Sequence, residues 1–295
     1  MPAELRILRS PSMQKQFGRC DILGQLQYVE RWELQQAHRS LVPRLRGNAI
    51  ARAAEIVHKA IMQGNRDLLT QSEFLITLVD EAVALFDRQF TYCQEQGVIF
   101  PADADATSRA EIRRIVPLFA RNTPVLAWQS VNAVEEPIPS YSCRPDLGGV
   151  EPTGFECVGD IKYKSALDAR YRSNTIEEYH WDPQFLQYNV AWRHARSLGP
   201  DVPVYSCLIL VVGHPFTIES VYWLYTPEQL QFWITGAEGL SDRINGIQDG
   251  TVQPIPATTH RDNFGWCPMF DACMKFNLDP NLMRTKYVQL RDLPE

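Results

Sequence analysis

The sequence predicts an α/β protein in which a central sheet flanked by helices follows a mainly helical N-terminal region. Three observations lead there. Two long stretches within the first 120 residues carry apolar residues at helical spacing. From Pro124 onward the pattern turns to β-branched and alternating runs. Within that second part, residues 202–213 (VPVYSCLILVVG) form a continuous apolar run, as expected of a strand buried on both faces.

Taken in order, residues 24–40 (LGQLQYVERWELQQAHR) predict a helix. Residues 47–63 predict another, with Ile50, Ala54, Val57 and Ile61 on one stripe and a stop at Gly64-Asn65. Residues 71–96 form a strongly amphipathic helix with Leu75, Val79, Ala82, Phe86 and Phe90 on its apolar side. Ser108-Arg109-Ala110-Glu111 has capping-box form and opens a helix expected to break near Pro117.

The sheet is expected to begin at residues 124–131, continue extended through 134–138, and include strands at 143–150 and 154–163. Residues 164–180 are polar and predict a loop or short helix. Asp182-Pro183 starts a helix, with Asp as N-cap and Pro at the first position, running to about residue 197. Residues 217–225 alternate as a neighbouring strand, and Thr226-Pro227 starts a helix to about residue 244. The organisation expected is a helical region over 1–120, a core over 121–258 and a cysteine-containing closing segment over 259–295, integrated into one domain.

With 295 residues, 45% hydrophobic and 22% charged, the composition is that of a globular protein. No apolar run approaches the roughly 18 residues of a membrane span. The N-terminus lacks the apolar centre of a signal peptide. Seven cysteines, an odd number without a secretory signal, predict reduced thiols and a cytoplasmic setting. A net charge of −6 does not advertise nucleic-acid binding, although basic residues cluster locally, as at Lys162, Lys164, Arg170 and Arg172. Singly, each such residue reads as solvated surface.

The chemistry concentrates between Cys143 and Tyr188. Asp146 follows a proline, a turn-rich interval comes next, and Asp160-Ile161-Lys162 lies in the following apolar run. In a strand, Asp160 and Lys162 share a face while Ile161 points into the apolar layer. A hairpin return brings Asp146 beside Asp160. Two such carboxylates are costly to bury together unless a divalent cation sits between them. On the next helix, Gln184 and Tyr188 are i, i+4 and share a face. Without the upstream residues, that helix would read as ordinary amphipathic packing.

Pro145-Asp146, Asp160-Ile161-Lys162 and the pair Gln184/Tyr188 together resemble the PD-(D/E)xK nuclease superfamily, in its RecB-like and CRISPR-associated exonuclease branch. The resemblance implies a restriction-endonuclease-like core with a mixed central sheet, and a metal-dependent deoxyribonuclease. Asp146 and Asp160 would bind Mg²⁺ or Mn²⁺. The Ile161 carbonyl and His58, on the helix over 47–63, would complete the ligand set. Lys162 would orient the attacking water or meet the phosphate, with Gln184 and Tyr188 beside it. The implied partners are DNA, single-stranded or at its ends, and a helicase or recombination protein.

Several relatives in this branch hold a [4Fe–4S] cluster with four cysteines, one early and three in a late group. Cys267 and Cys273 match that pattern, Cys20 is a distant third, and Phe264 stands where a cysteine is expected. Three thiolates do not complete such a site, so no cluster is expected. An apolar plug of Trp266, Met269, Phe270, Met274 and Phe276 is the expected substitute. Zinc is less expected still, with His260 the only nearby histidine. Rival readings are a catalytically silent DNA-binding or assembly protein, a metal-dependent hydrolase of another phosphodiester or a small nucleotide, and a chance match with the two aspartates far apart.

Overall fold

The computed structural model describes residues 8–35, 41–255, 261–262, 265–267, 269–275, 278–290 and 293–294. The first long element is α1 (Pro11–Arg19), capped by Ser10, whose side chain accepts from the Met13 N–H. Three longer helices follow: α2 (Leu41–Met62), α3 (Ser72–Glu95) and α4 (Ala104–Asn122). The chain turns after α2 at Gly64, whose φ of 80° is available to glycine without strain.

The sheet has five strands: β1 (Ser130–Val134), β2 (Leu147–Val150), β3 (Glu156–Ala166), β4 (Val204–His214) and β5 (Thr217–Leu224), in that spatial order. Every neighbouring pair is antiparallel except β3 and β4, which run parallel. A parallel pair needs a crossover. Here it is made by α5 (Ala169–His180) and α6 (Pro183–Ala195). The last long helix, α7 (Pro227–Gln248), opens with a full capping box between Thr226 and Gln229. This is the mixed sheet flanked by helices that the sequence predicts.

Alternation along the strands divides the core in two. Cys157, Ile161, Ile209 and Val211 pack with α2, α3 and α4 through Val57, Phe86, Ile112 and Phe119. Val158, Leu208, Leu210 and Val212 face the other way, against Phe185, Leu186 and Trp192 of α6 and Leu230 and Ala237 of α7. Each fully buried large side chain contributes about 1.5–3 kcal/mol. The period of two therefore fixes which side of β3 receives its polar residues. Asp160 and Lys162 have the parity of Val158 and face α6.

Several expectations need correction. The helix expected over 24–40 ends early: Asp21–Gly24 and a π-helical turn Gln25–Val29 give way to a short strand, Trp32–Leu34. Arg31, with φ 62°, turns the chain, and the strand pairs with Tyr287–Gln289. Pro117 does not break α4. Ile112, Ile115, Val116 and Phe119 are all buried, and their packing outweighs the one helical hydrogen bond that proline forfeits. Residues 124–127 form a 3₁₀ turn rather than the start of a strand.

Cys20, Cys267 and Cys273 lie near one another. Burial pushes the Cys273 thiol up to about 11, with the neighbouring Cys267 and Cys20 adding to the effect. Met269 is fully buried beside Leu23, Leu26 and Tyr287. Of the other residues read from this segment, His260, Phe264 and Phe276 lie outside the described residues, as do the side chains of Trp266, Phe270 and Met274. No helix among the described residues is long and apolar enough to cross a membrane.

Candidate active site

The antiparallel register pairs Leu147 with Gly159, so one step earlier Asp146 comes opposite Asp160. Asp146 Oδ2 accepts the Ile161 N–H at 2.7 Å. Asp160 is 1% exposed. Its Oδ2 lies 2.5 Å from Lys162 Nζ, two residues along the same face of β3.

The remaining pieces come from α6. Asp182 caps this helix by accepting the Gln184 N–H at 3.0 Å, and Pro183 occupies its first turn. The cap sets Gln184 over β3, where its amide is used at both ends. Oε1 accepts from Lys162 Nζ at 2.7 Å, and Nε2 donates to Asp160 Oδ1 at 2.7 Å. Nε2 also lies 2.7 Å from the Tyr188 hydroxyl, one turn on, and that hydroxyl donates to the Arg144 carbonyl at 3.0 Å. Gln184 thus joins β3 to α6, and Tyr188 joins α6 to the residue before Pro145.

Burial, then mutual repulsion, governs the electrostatics. The Asp160 carboxyl is raised to about 7, first by desolvation and then by Asp146. Asp146 is raised to about 7 by desolvation and by Glu135. Burial alone would lower the Lys162 ammonium, but the Asp160 and Asp146 charges outweigh it and hold the group protonated. Desolvation also pushes the Tyr188 phenol well above its ordinary value, so it stays neutral.

Glu135 is a member of this group that the sequence reading missed. It follows β1 with φ 52°, and its backbone N–H donates to the Asp146 carbonyl at 3.3 Å. Its carboxylate pairs with Arg144 Nε at 2.7 Å. Burial raises it, as do the Glu55 and Asp160 charges, while Arg144 and a hydrogen bond with Asp146 lower it. The only signal in the sequence was indirect: the β1–β2 return that brings 135 beside 146.

His58 is fully buried on α2, its ring 5.8 Å from that of Phe119. Nε2 lies 3.5 Å from Thr123 Oγ1, and Nδ1 has no hydrogen-bond partner. Desolvation lowers its imidazole to about 3. Neither ring nitrogen is hydrogen-bonded to Asp146 or Asp160. Asp146, Asp160, Lys162, Gln184, Tyr188 and the Ile161 N–H are brought together, whereas His58 packs between α2 and α4.

Among the described residues no group of three or more His, Cys, Asp and Glu side chains stands ready to hold a metal ion. The two aspartates nevertheless suit one kind of cation. Both are oxygen donors, and both are held above their ordinary range by burial, which a divalent charge would reverse. Mg²⁺ keeps several waters and takes one or two carboxylates, so this pair fits it without a closed protein cage. The cluster opens on a cavity of about 300 Å³ lined by Lys15, Tyr28, Lys162, Tyr179, Asp182 and Gln184.

No protein-family model matches this sequence, and no curated protein matches it. A solved structure described as "Putative exonuclease" from Eubacterium rectale is 14% identical, with a TM-score of 0.47. The similarity covers 85% of this chain and 84% of that one. A likeness so loose carries no argument about chemistry, and the functional reading rests on the cluster itself.

Proposed function

We propose that the protein is a metal-dependent nuclease that hydrolyses DNA phosphodiester bonds, acting as an exonuclease. The observation that supports this most is the Gln184 amide holding Asp160 and Lys162 together beside Asp146. A carboxylate pair with an adjacent ammonium supplies opposite charges for the two partners of the reaction, a cation and a phosphate.

Asp146, Asp160 and the Ile161 carbonyl are the residues that would hold Mg²⁺ or Mn²⁺. Such an ion would supply an acidified water as nucleophile and a positive charge against the phosphate. His58 is the further ligand that the resemblance implies, and its recruitment would exchange the Thr123 contact for the metal. Lys162, held beside Asp160, would meet a phosphate oxygen as a point charge. Gln184 keeps the lysine and the aspartate at a fixed separation, and Tyr188 fixes Gln184. The product carries a 5′-phosphate. Contacts to phosphate carry no sequence information, so cleavage is sequence-tolerant.

The experiment is degradation of end-labelled linear and circular DNA, single- and double-stranded, in Mg²⁺, Mn²⁺ or EDTA. Wild type is compared with Asp160→Ala and Lys162→Ala. The expected result is metal-dependent cleavage of linear DNA that both substitutions abolish, with circles spared. A folded protein that cuts none of these substrates would replace this reading with a catalytically silent DNA-binding or assembly protein.

A further inference from the structure

Next to the carboxylate cluster lies a second cavity, an apolar groove of about 790 Å³ between α1, the start of α6, and α7. Trp181, Pro183, Leu186, Phe232, Trp233 and Leu240 contribute to its walls. The two cavities share an edge. Lys15 lines both, and the residues that open α6 alternate between them: Trp181 and Pro183 face the groove, Asp182 and Gln184 face the cluster. The Lys15–Asp182 ion pair, at 2.6 Å, forms the sill.

Two aromatic rings in the groove are unusually open to solvent. Phe232 is 84% exposed and Trp181 is 48% exposed. Trp181 is also held in place: its Nε1 donates to Glu177 at 2.9 Å, and its ring stacks on His180 at 4.5 Å. A fixed, exposed indole offers a flat surface whose ordering cost has already been met within the fold.

We propose that this groove is a base-stacking subsite for an unpaired polynucleotide strand, whose backbone passes Lys15 and Lys162 while its bases lie against Trp181 and Phe232. The proposal rests on the nuclease reading of the cluster. Lys15 stands on the shared edge and Lys162 in the adjoining cavity, while the groove carries the aromatic surface, which is the division of charge along a nucleotide. An apolar helix or an acyl chain would fill the groove but make no use of Lys15 and Lys162. A duplex keeps its bases stacked on one another and away from Trp181. Stacking tolerates any base, because every base has a π-face.

The test is fluorescence anisotropy with fluorescein-labelled oligothymidylate in Ca²⁺, using wild type, Trp181→Phe and the double variant Trp181→Ala/Phe232→Ala. Both side chains are exposed enough that melting temperatures should match. The double variant is expected to bind about ten-fold more weakly. Its dependence on salt should be unchanged, because no phosphate contact has been removed. Trp181→Phe should keep most of the affinity, and an abasic oligomer should bind wild type as weakly as the double variant binds oligothymidylate. Equal affinity of wild type and double variant, or of abasic and thymidylate strands, overturns the proposal. Cleavage in Mg²⁺ is scored separately. Groove-dependent binding without cutting retains the subsite and rejects the nuclease. Cutting with unaltered binding in the double variant rejects the subsite and retains the nuclease.

Discussion

Gln184 Nε2 donates to Asp160 Oδ1 while Oε1 of the same amide accepts from Lys162. One side chain of α6 therefore sets the spacing of two residues on β3, because a primary amide offers a donor and an acceptor at once. Replacing Gln184 with Ala leaves each partner without its amide contact. Hydrogen bonds to charged groups contribute about 1.5–3 kcal/mol. We expect metal-dependent cleavage to fall about 10–100-fold while the circular dichroism spectrum is unchanged. Gln184→Glu, which loses the donor facing Asp160, should fall further.

Asp160→Asn separates stability from activity. The carboxyl is held up to about 7 chiefly by burial, so its ionised form is a net cost to the folded state at pH 8. In EDTA the variant should gain about 1 kcal/mol, read as a melting temperature about 2–4 °C higher. It should also lose the stabilisation that Mg²⁺ confers on wild type. A melting temperature lower than that of wild type in EDTA would contradict the sign.

The same shifts fix a pH dependence. Asp146 and Asp160 titrate near 7 in the folded protein and near 4 when unfolded. Between those values the folded state binds more protons, so the contribution of these groups to stability falls as pH rises from about 4 to 7 and levels off above. Excess Mg²⁺ should flatten that fall. Chemical denaturation across this range, with and without the metal, reads the difference.

His58 works in the opposite direction. Its imidazole is lowered to about 3 by burial, whereas in the unfolded chain it titrates near 6.5. Here the unfolded state binds the proton, so stability is lost as pH falls from about 6.5 towards 3. His58→Leu should remove part of this acid sensitivity. Comparing unfolding free energies at pH 5 and pH 7 for the two proteins checks it.

Gly148 lies directly against Trp192 of α6. A Cβ added there would come 2.3 Å from the Trp192 ring, and Trp192 Nε1 is itself tied to Glu156 at 3.0 Å. The indole cannot retreat freely, so Gly148→Ala should cost about 1–3 kcal/mol by overpacking. A lowered denaturant midpoint with an unchanged m-value is the expected result.

The features most legible in the sequence were those governed by short-range rules. Asp182-Pro183 announced α6, and the alternation around Ile161 set Asp160 and Lys162 on one face. The apolar run at 202–213 marked β4, which is buried but lies between the middle strand β3 and the edge strand β5 rather than at the centre. What stayed hidden depended on partners far away in the chain. Pro117 looked like a helix break because only the buried faces of Ile112 and Phe119 reveal why α4 continues. The helix expected beyond Gly24 gave way because Trp32–Leu34 finds a strand at Tyr287–Gln289. Glu135 has no distinctive local pattern, and only the return of β2 against β1 places it beside Asp146.

The carboxylate cluster and its outer wall also differ in how the chain assembles them. Asp146, Asp160, Lys162 and Gln184 fall within one short span of sequence, so loop closure costs them little. The wall is non-local: Gln14 donates to the buried Gln187 at 2.9 Å, and Lys15 reaches Asp182. In the chain, α1 precedes its partner helix α6 by most of the strands of the sheet. The polar centre is thus a product of neighbours in sequence. Its enclosure depends on contacts between segments far apart in sequence, which form more slowly than contacts between neighbours.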